Sequence, residues 1–231
     1  MSFLSYISQY YCGTGLMIAA TLAALFTGIR YYRRHRQLRV FLWYTLFSLV
    51  EDAADYYRQW SYNAHLPKMI SGGVANAFML FEFLTCIYFI RMHVSSVLRR
   101  RVIMIDAVIY LAFVLYCFIR ARQTLYTPIF FFFESLFLIV PCLVYFYELF
   151  LDINLLPLKN QPAFWIITGI LFLNCFEIPL LLTEGELGIY HEVAFSLNFV
   201  LYILFFSLLI RAYICQPAET PSSAGGQIKT G

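Results

Sequence analysis

The sequence predicts an all-α, polytopic membrane protein: a bundle of seven transmembrane helices with its N-terminus outside and its C-terminus in the cytoplasm. Three observations predict this fold: seven long apolar segments, short connections between them, and arginines concentrated in two of those connections. Hydrophobic residues make up 61% of the chain and charged residues 13%, whereas a soluble domain carries about 25% charged residues. A soluble core of this length could not cover so many apolar side chains, so lipid must surround most of the surface.

Each of the seven segments is long enough to cross a bilayer, which takes about 20 residues in a helix. Because the connections are short, neighbouring segments should pack side by side and antiparallel. We predict spans over residues 12–29, 38–57, 70–90, 102–119, 127–149, 163–182 and 192–214. They form one domain over residues 1–215, and the Pro-, Gly- and Ser-rich stretch 216–231 is predicted to be a disordered cytoplasmic tail.

Arginine and lysine in the loops set the predicted orientation, because these residues are enriched on the cytoplasmic side. The first loop reads RYYRRHRQLR and the third reads RMHVSSVLRRR, and both must lie on the same side. The opposite side carries fewer basic residues, among them Arg58, Lys68, Arg120 and Arg122. We therefore predict a multi-pass protein of the inner cell membrane. The cytoplasmic basic loops that could contact a partner contain Arg33, Arg34, Arg36, Arg99, Arg100 and Arg101.

Carboxylates inside the predicted spans are the candidate functional groups. A charge at the centre of a bilayer costs about 2.5–3.5 kcal/mol on insertion scales, so such a residue usually faces the bundle interior. Glu82 lies in the middle of FMLFEFLTCIYF, Glu134 follows four phenylalanines, and Glu177 lies three residues after Asn174. Most polar groups fall in the outer half of five predicted helices. The predicted ligand- or cation-binding residues are Glu51, Asp52, Asp55, Glu82, Glu134, Glu177, His191 and Asn198.

Two polar stripes at helical spacing accompany these glutamates. If the stripes and the glutamates face inward together, they form an acidic, outward-facing cavity that could take up protons, a cation or an amine ligand. The alternative is structural: carboxylates at helix ends are solvated, and a buried carboxyl can bond a neighbouring helix for packing. The stripes consist of Tyr44, Ser48, Asp52 and Asp55 in the second segment, and of His191, Asn198 and Tyr202 in the last.

Several function classes are excluded by the positions of lysine and histidine. The lysines Lys68, Lys159 and Lys229 lie outside the predicted spans, so none can hold retinal as a Schiff base. All four histidines lie in loops or at helix ends, which excludes a bis-histidine haem and a buried three-histidine zinc site. The HExxH zinc pattern that begins at His191 fails at Phe195.

Chemical motifs are equally scarce. No nucleophile elbow and no Walker loop appear, and the six cysteines are scattered without paired spacing. We therefore predict no cofactor and no nucleic-acid partner, and we assign no metal. An enzyme is not favoured, although chemistry on paired carboxylates stays open. The predicted partners are the lipid bilayer and a cytoplasmic signalling or complex partner.

Two further features concern packing. Ala20, Ala24 and Gly28 form a row of small residues at helical spacing, which lets helices approach closely. The row serves internal packing or, as the alternative, the seam of a homo-oligomer. Asp106 follows the arginines at 99–101 along the fourth segment, and we expect an ion pair between them.

Three short motifs resemble an uncharacterised family of small bacterial seven-helix membrane proteins, some of them related to sensor modules that precede signalling domains. The motifs are S-x-x-E (Ser48 to Glu51), F-E-F (Phe81 to Phe83) and P-x-F-W-I-x-x-G (Pro162 to Gly169). The residues and this resemblance favour a sensor or receptor-like module that binds a small ligand or cation and signals to a cytoplasmic partner. The alternatives are a proton- or cation-coupled transporter or channel, an intramembrane enzyme, and a structural subunit of a membrane complex.

Overall fold

The computed structural model describes residues 3–33, 36–63, 69–121, 128–151, 158–186 and 191–215. Within these ranges the chain forms seven α-helices, two short 3₁₀ turns and no β-strand, which confirms the all-α prediction. At 24 to 29 residues each, the helices are about 36–44 Å long. The helices are α1 (Phe3–Tyr31), α2 (Arg39–Asn63), α3 (Met69–His93), α4 (Val97–Ala121), α5 (Pro128–Leu151), α6 (Pro162–Glu186) and α7 (His191–Ile214).

Five of the helices are long and apolar enough over their described residues to cross a membrane. The five segments are Gly13–Tyr31, Val97–Arg120, Phe130–Leu151, Pro162–Leu180 and Ser196–Ile214, on α1, α4, α5, α6 and α7. These segments identify a helical membrane protein. The other two helices carry ionisable groups within their length, among them Glu51 and Asp52 on α2 and Glu82 on α3.

Six helices form a closed ring in the order α1, α2, α3, α5, α6, α7, in which each helix packs on the next and α7 packs on α1. Helix α4 lies outside this ring and packs against α5 and α3. Helix α3 also contacts α6 across the ring. This order differs from the chain order only at α4, and it brings the glutamate-bearing helices α3, α5 and α6 into mutual contact.

The distribution of burial is that of a protein surrounded by lipid. Large apolar side chains lie on the outside: Phe26 and Ile119 are 70% exposed and Phe150 is 79% exposed. Polar side chains lie inside, and Asp52 and Glu134 are each 4% exposed. In water this arrangement would be unfavourable, because apolar area would be hydrated and polar groups would lose their hydration.

Helix α2 differs from its predicted span. The segment 38–57 placed its carboxylates near the outer end, but α2 continues to Asn63, since no glycine or proline interrupts residues 58–63. Glu51 therefore lies midway along the helix, and Asp52 follows it. Burial of Asp52 excludes, for that residue, the alternative of a solvated carboxylate at a helix end.

The row of small residues on α1 packs within the chain. Ala24 is fully buried. A Cβ atom added at Gly28 would lie 3.0 Å from the ring of Tyr213 on α7 and 3.1 Å from Leu42 on α2. Internal packing thus accounts for Ala24 and Gly28, and self-association through Ala20, Ala24 and Gly28 stays a prediction.

We predict that Gly28→Val lowers the free energy of unfolding by about 1–3 kcal/mol, because an enlarged side chain forces Tyr213 and Leu42 apart. Gly15→Val on the same helix is the matched control, because a Cβ atom at Gly15 meets nothing within 4 Å. Reversible unfolding in mixed detergent micelles measures both variants. Equal losses in the two variants would contradict the close packing of α1 against α7 and α2.

Candidate functional site

Three of the predicted carboxylates come together inside the ring. Glu82 lies midway along α3, Glu134 in the first third of α5, and Glu177 in the second half of α6. Glu134 interacts electrostatically with both other carboxylates, and Glu82 interacts electrostatically with Glu177. We call Glu82, Glu134 and Glu177 the carboxylate cluster. It forms because α3, α5 and α6 are mutual neighbours in the ring.

Hydroxyl groups from neighbouring helices donate hydrogen bonds to two members of the cluster. The Tyr44 hydroxyl on α2 donates to Oε1 of Glu82 at 3.0 Å. Ser135 Oγ on α5 donates to Oε2 of Glu177 at 3.0 Å. The Tyr202 hydroxyl on α7 donates to Oε1 of Glu177 at 3.3 Å. The cluster and its donors thus join α2, α3, α5, α6 and α7.

Glu134 has a different environment from the other two carboxylates. It is 4% exposed, and among the described residues its Oε1 atom has no hydrogen-bond partner. Tyr110 on α4 is fully buried, and its hydroxyl group interacts electrostatically with Glu134. This hydroxyl also has no hydrogen-bond partner within the described ranges. Buried polar atoms are nearly always hydrogen-bonded, so these two atoms mark the part of the cluster that can accept a further group. Glu82 and Glu177 each keep some accessible surface.

The predicted residues on α2 lie beside the cluster. Glu51 is partly buried, and its charge acts on Glu82 and on the phenol of Tyr202. Asp52 is buried one residue further on. The side chain of Asp55 lies outside the described part of the chain.

Helix α7 contributes Tyr202 to the carboxylate cluster, whereas the predicted binding residues on this helix were Asn198 and His191. Asn198 is partly buried one turn from Tyr202, and its Oδ1 atom has no hydrogen-bond partner among the described residues. The side chain of His191 lies outside the described part. Tyr202, from the same predicted stripe, is the residue that reaches the cluster.

Ser135 and Tyr110 were missed by sequence reasoning. Ser135 directly follows Glu134, and nothing in its spacing indicates that it bonds a carboxylate on another helix. Tyr110 lies one helical turn after Asp106 on α4. This i, i+4 spacing of two polar residues is the sequence signal that could have identified Tyr110. Tyr44 and Tyr202 were visible as members of the two polar stripes.

No metal site accompanies the cluster in the part of the chain that the structure describes. No group of three or more His, Cys, Asp or Glu side chains there is close enough to hold a metal ion. The carboxylates interact through their charges and through bridging hydroxyls, and this arrangement suits a proton, a monovalent cation or an amine better than a multidentate divalent ion.

The predicted basic loops meet at the opposite end of α3 from Met69. His93, at the end of α3, contacts Gln37 Oε1 at 3.1 Å through Nε2, which joins the loop between α1 and α2 to the loop between α3 and α4. Burial lowers the pKa of His93, although its hydrogen bond with the Phe89 carbonyl acts in the opposite direction. Arg33 is exposed at this end. Arg34 and the side chain of Arg36 lie outside the described residues.

Glu148 on α5 is the acidic partner within this basic end. It accepts hydrogen bonds from the backbone N–H and the hydroxyl of Ser95, and it pairs with Arg99 Nη1 at 3.0 Å. It thereby caps the N-terminus of α4, where a negative charge is favourable. The expected ion pair between Asp106 and the arginines at 99–101 is wrong: among the described residues Arg99 pairs with Glu148, and Oδ2 of Asp106 is buried without a hydrogen-bond partner.

Comparison with protein-family models, with curated proteins and with solved structures gave no match.

We predict a coupling free energy of about 1 kcal/mol between Tyr44→Phe and Glu82→Met in a double-mutant cycle, because each substitution alone removes the same hydrogen bond. Unfolding in detergent micelles measures the four corners of the cycle. Tyr213→Phe with Glu82→Met is the control cycle, since the Tyr213 hydroxyl donates to the Leu38 carbonyl. Additive effects for Tyr44 and Glu82 would contradict the contact.

Proposed function

We propose that this chain is an integral membrane sensor or receptor-like module whose carboxylate cluster binds a small cation or amine ligand. The observation that supports it best is the meeting of Glu82, Glu134 and Glu177 from three helices, bonded by hydroxyls from two further helices and from α5 itself. A ligand that changes the charge of this cluster acts on five helices at once.

The charge balance of the cluster favours a positively charged ligand. Among the described residues, the hydrogen bonds to these carboxylates come from hydroxyl groups, and none comes from arginine or lysine. Hydroxyls donate hydrogen bonds but carry no charge, so ionised carboxylates here need a cation for neutrality. Buried charges in proteins are paired or bound to ions for this reason.

We propose that all seven helices span the membrane, with the N-terminus outside and the C-terminus in the cytoplasm. The end of α1 and the turn after it carry Arg30 and Arg33, and the end of α3 and the start of α4 carry Arg91 and the arginines at 99–101. The contact between Gln37 and His93 joins these two regions. Basic residues are enriched in cytoplasmic loops. The predicted tail 216–231 would follow α7 into the cytoplasm.

Two helices connect the carboxylate cluster to this basic end. Helix α5 carries Glu134 and, further along, Glu148, which is bonded to Ser95 and Arg99. Helix α3 carries Glu82 and leads directly into the loop that contains Ser95. A small shift of α3 against α5 would therefore move the N-terminus of α4 and the arginines available to a cytoplasmic partner.

The packing beyond the cluster favours a sensor over a transporter. Between the cluster and the basic end, the ring is filled mainly by large apolar side chains that are at most 4% exposed, and the buried hydroxyl groups of Thr45 and Thr85 lie among them. The rings of Phe41 and Phe89, for example, are 4.9 Å apart and meet edge to face. A transported cation would need more polar groups along this route than these two hydroxyl groups. The filling residues include Phe41, Ile87, Phe89, Ile90, Phe206 and Leu209.

We predict that a monovalent cation or a small amine stabilises the purified protein and that Glu134→Gln abolishes this effect. A ligand at a hundredfold excess over its Kd adds about 2.7 kcal/mol to the free energy of unfolding. Unfolding in sodium, potassium or methylammonium chloride, compared with a bulky organic cation at equal ionic strength, measures the effect. Glu82→Gln and Glu177→Gln should weaken it.

Glu148→Gln is the matched control, because it removes a carboxylate outside the cluster and should keep the cation dependence while lowering the baseline stability. Stability that is the same in every cation for wild type, or a cation effect that survives all three cluster substitutions, would contradict the proposed site.

We further predict that the stabilising cation changes hydrogen exchange of the backbone amides at residues 95–98. The amide of Ser95 donates to Glu148 on the same helix as Glu134, so a shift of α5 alters its protection. Glu148→Gln should keep cation binding but remove this change. If the exchange rate in wild type stays the same at saturating cation, the cation binds without moving Glu148 against Ser95. That result would contradict the proposed connection between the cluster and the basic end.

A further inference from the structure

A cavity of about 550 Å³ lies at the basic end of the bundle, between the last turn of α3 and the first turns of α4. It is open on one side, and its lining surface is mostly apolar although three arginines contribute to it. The lining residues are Arg91, Val97, Arg100, Arg101, Met104 and Ile105. We call this cavity the arginine pocket. It is separate from the carboxylate cluster and takes no part in the proposed cation site.

Within the described ranges, no carboxylate forms an ion pair with any of the three arginines of the pocket. Arg91 Nη1 contacts the sulfur of Met104 at 3.3 Å, and Arg100 Nε donates to the carbonyl of Val94. Arg101 is exposed and makes no hydrogen bond or ion pair with any described residue. The nearby carboxylate of Glu148 is already engaged with Ser95 and Arg99. The pocket therefore attracts an anion.

The chemistry of that anion follows from the guanidinium groups. Arginine presents several N–H donors in a planar fork that matches the oxygens of phosphate. Three such groups around one cavity suit a phosphate group better than a single carboxylate. An acidic protein segment would also be attracted by these charges. The apolar residues of the pocket distinguish a phosphate-bearing lipid from such a segment.

The apolar wall continues from the pocket along the outside of α4. Val97 is 65% exposed, Ile105 is 60% exposed and Met104 also lies at the surface. Val108 and Ile109 extend the same apolar surface one turn further. Because α4 lies outside the ring and is long and apolar enough to cross a membrane, we infer that this wall faces acyl chains. The arginines followed by this apolar surface match a phospholipid, in which a charged head group is followed by apolar acyl chains.

We propose that the arginine pocket binds the phosphate head group of an anionic phospholipid, with the first part of an acyl chain along Met104 and Ile105. Basic pockets between transmembrane helices are suited to anionic head groups. A bound lipid would bridge α3 and α4 at the loop that contacts Glu148, and it would hold the arginines at the membrane surface.

Native mass spectrometry of the full chain in detergent tests this proposal with phosphatidylglycerol and phosphatidylcholine of identical acyl chains. Wild type should bind phosphatidylglycerol at least tenfold more tightly. Arg91→Gln with Arg101→Gln should weaken phosphatidylglycerol binding by roughly 10- to 30-fold, since each basic residue near the surface contributes on the order of 1 kcal/mol to the attraction of anionic lipid. Arg101→Gln alone breaks no contact within the described chain and should show a smaller loss.

The matched control is Arg30→Gln with Arg33→Gln, which removes two exposed arginines at the same end of the bundle but outside the pocket. This control should retain phosphatidylglycerol binding. Equal loss in both double variants, or equal affinity for the two lipids, would overturn the proposal in favour of general surface charge. Displacement of the lipid by inorganic phosphate alone would indicate a free-anion site, and displacement by a polyglutamate peptide would indicate a protein partner; either result would overturn it.

Discussion

The hydrogen bonds that hold Glu82 and Glu177 are the interaction on which the rest of the bundle depends. An unpartnered carboxylate within the membrane is costly, and Glu82 and Glu177 are satisfied only when hydroxyls from neighbouring helices reach them. The positions of α2, α3, α5, α6 and α7 are therefore linked through a few polar atoms in an otherwise apolar core. Glu134, with one oxygen unpartnered among the described residues, is the place where a ligand adds most.

The basic end of the bundle has its own polar linkage, and it shares helices with the carboxylate cluster. From near the end of α5, Glu148 bonds Ser95 in the loop between α3 and α4 and Arg99 in the first turn of α4. A cation at the cluster and a lipid at the arginine pocket would both act on the contact between α3, α4 and α5. Coupling between two sites requires such a shared element with different contacts in its two states.

The sequence predicted the helical class and the cluster better than it predicted the contacts. Glu82, Glu134 and Glu177 stand out because each interrupts a strongly apolar run, and lipid as solvent makes such an interruption face inward. The predicted end of the second span at residue 57 falls short of the end of α2 at Asn63, because helix ends are the least certain part of a pattern. Ser135 and the partners of Glu148 depend on which helices become neighbours, and in particular on α4 lying outside the ring. Spacing along one helix contains no information on that arrangement.

The central claim is that the carboxylate cluster changes its charge state when a cation binds. Infrared difference spectroscopy of the membrane-reconstituted protein measures this directly, because protonated carboxyl and ionised carboxylate groups absorb at different frequencies. We expect a stabilising cation to change the carboxyl and carboxylate bands of wild type, and we expect Glu134→Gln to remove that change. A wild-type spectrum that stays the same with each cation, or an identical change in Glu134→Gln, would contradict the claim.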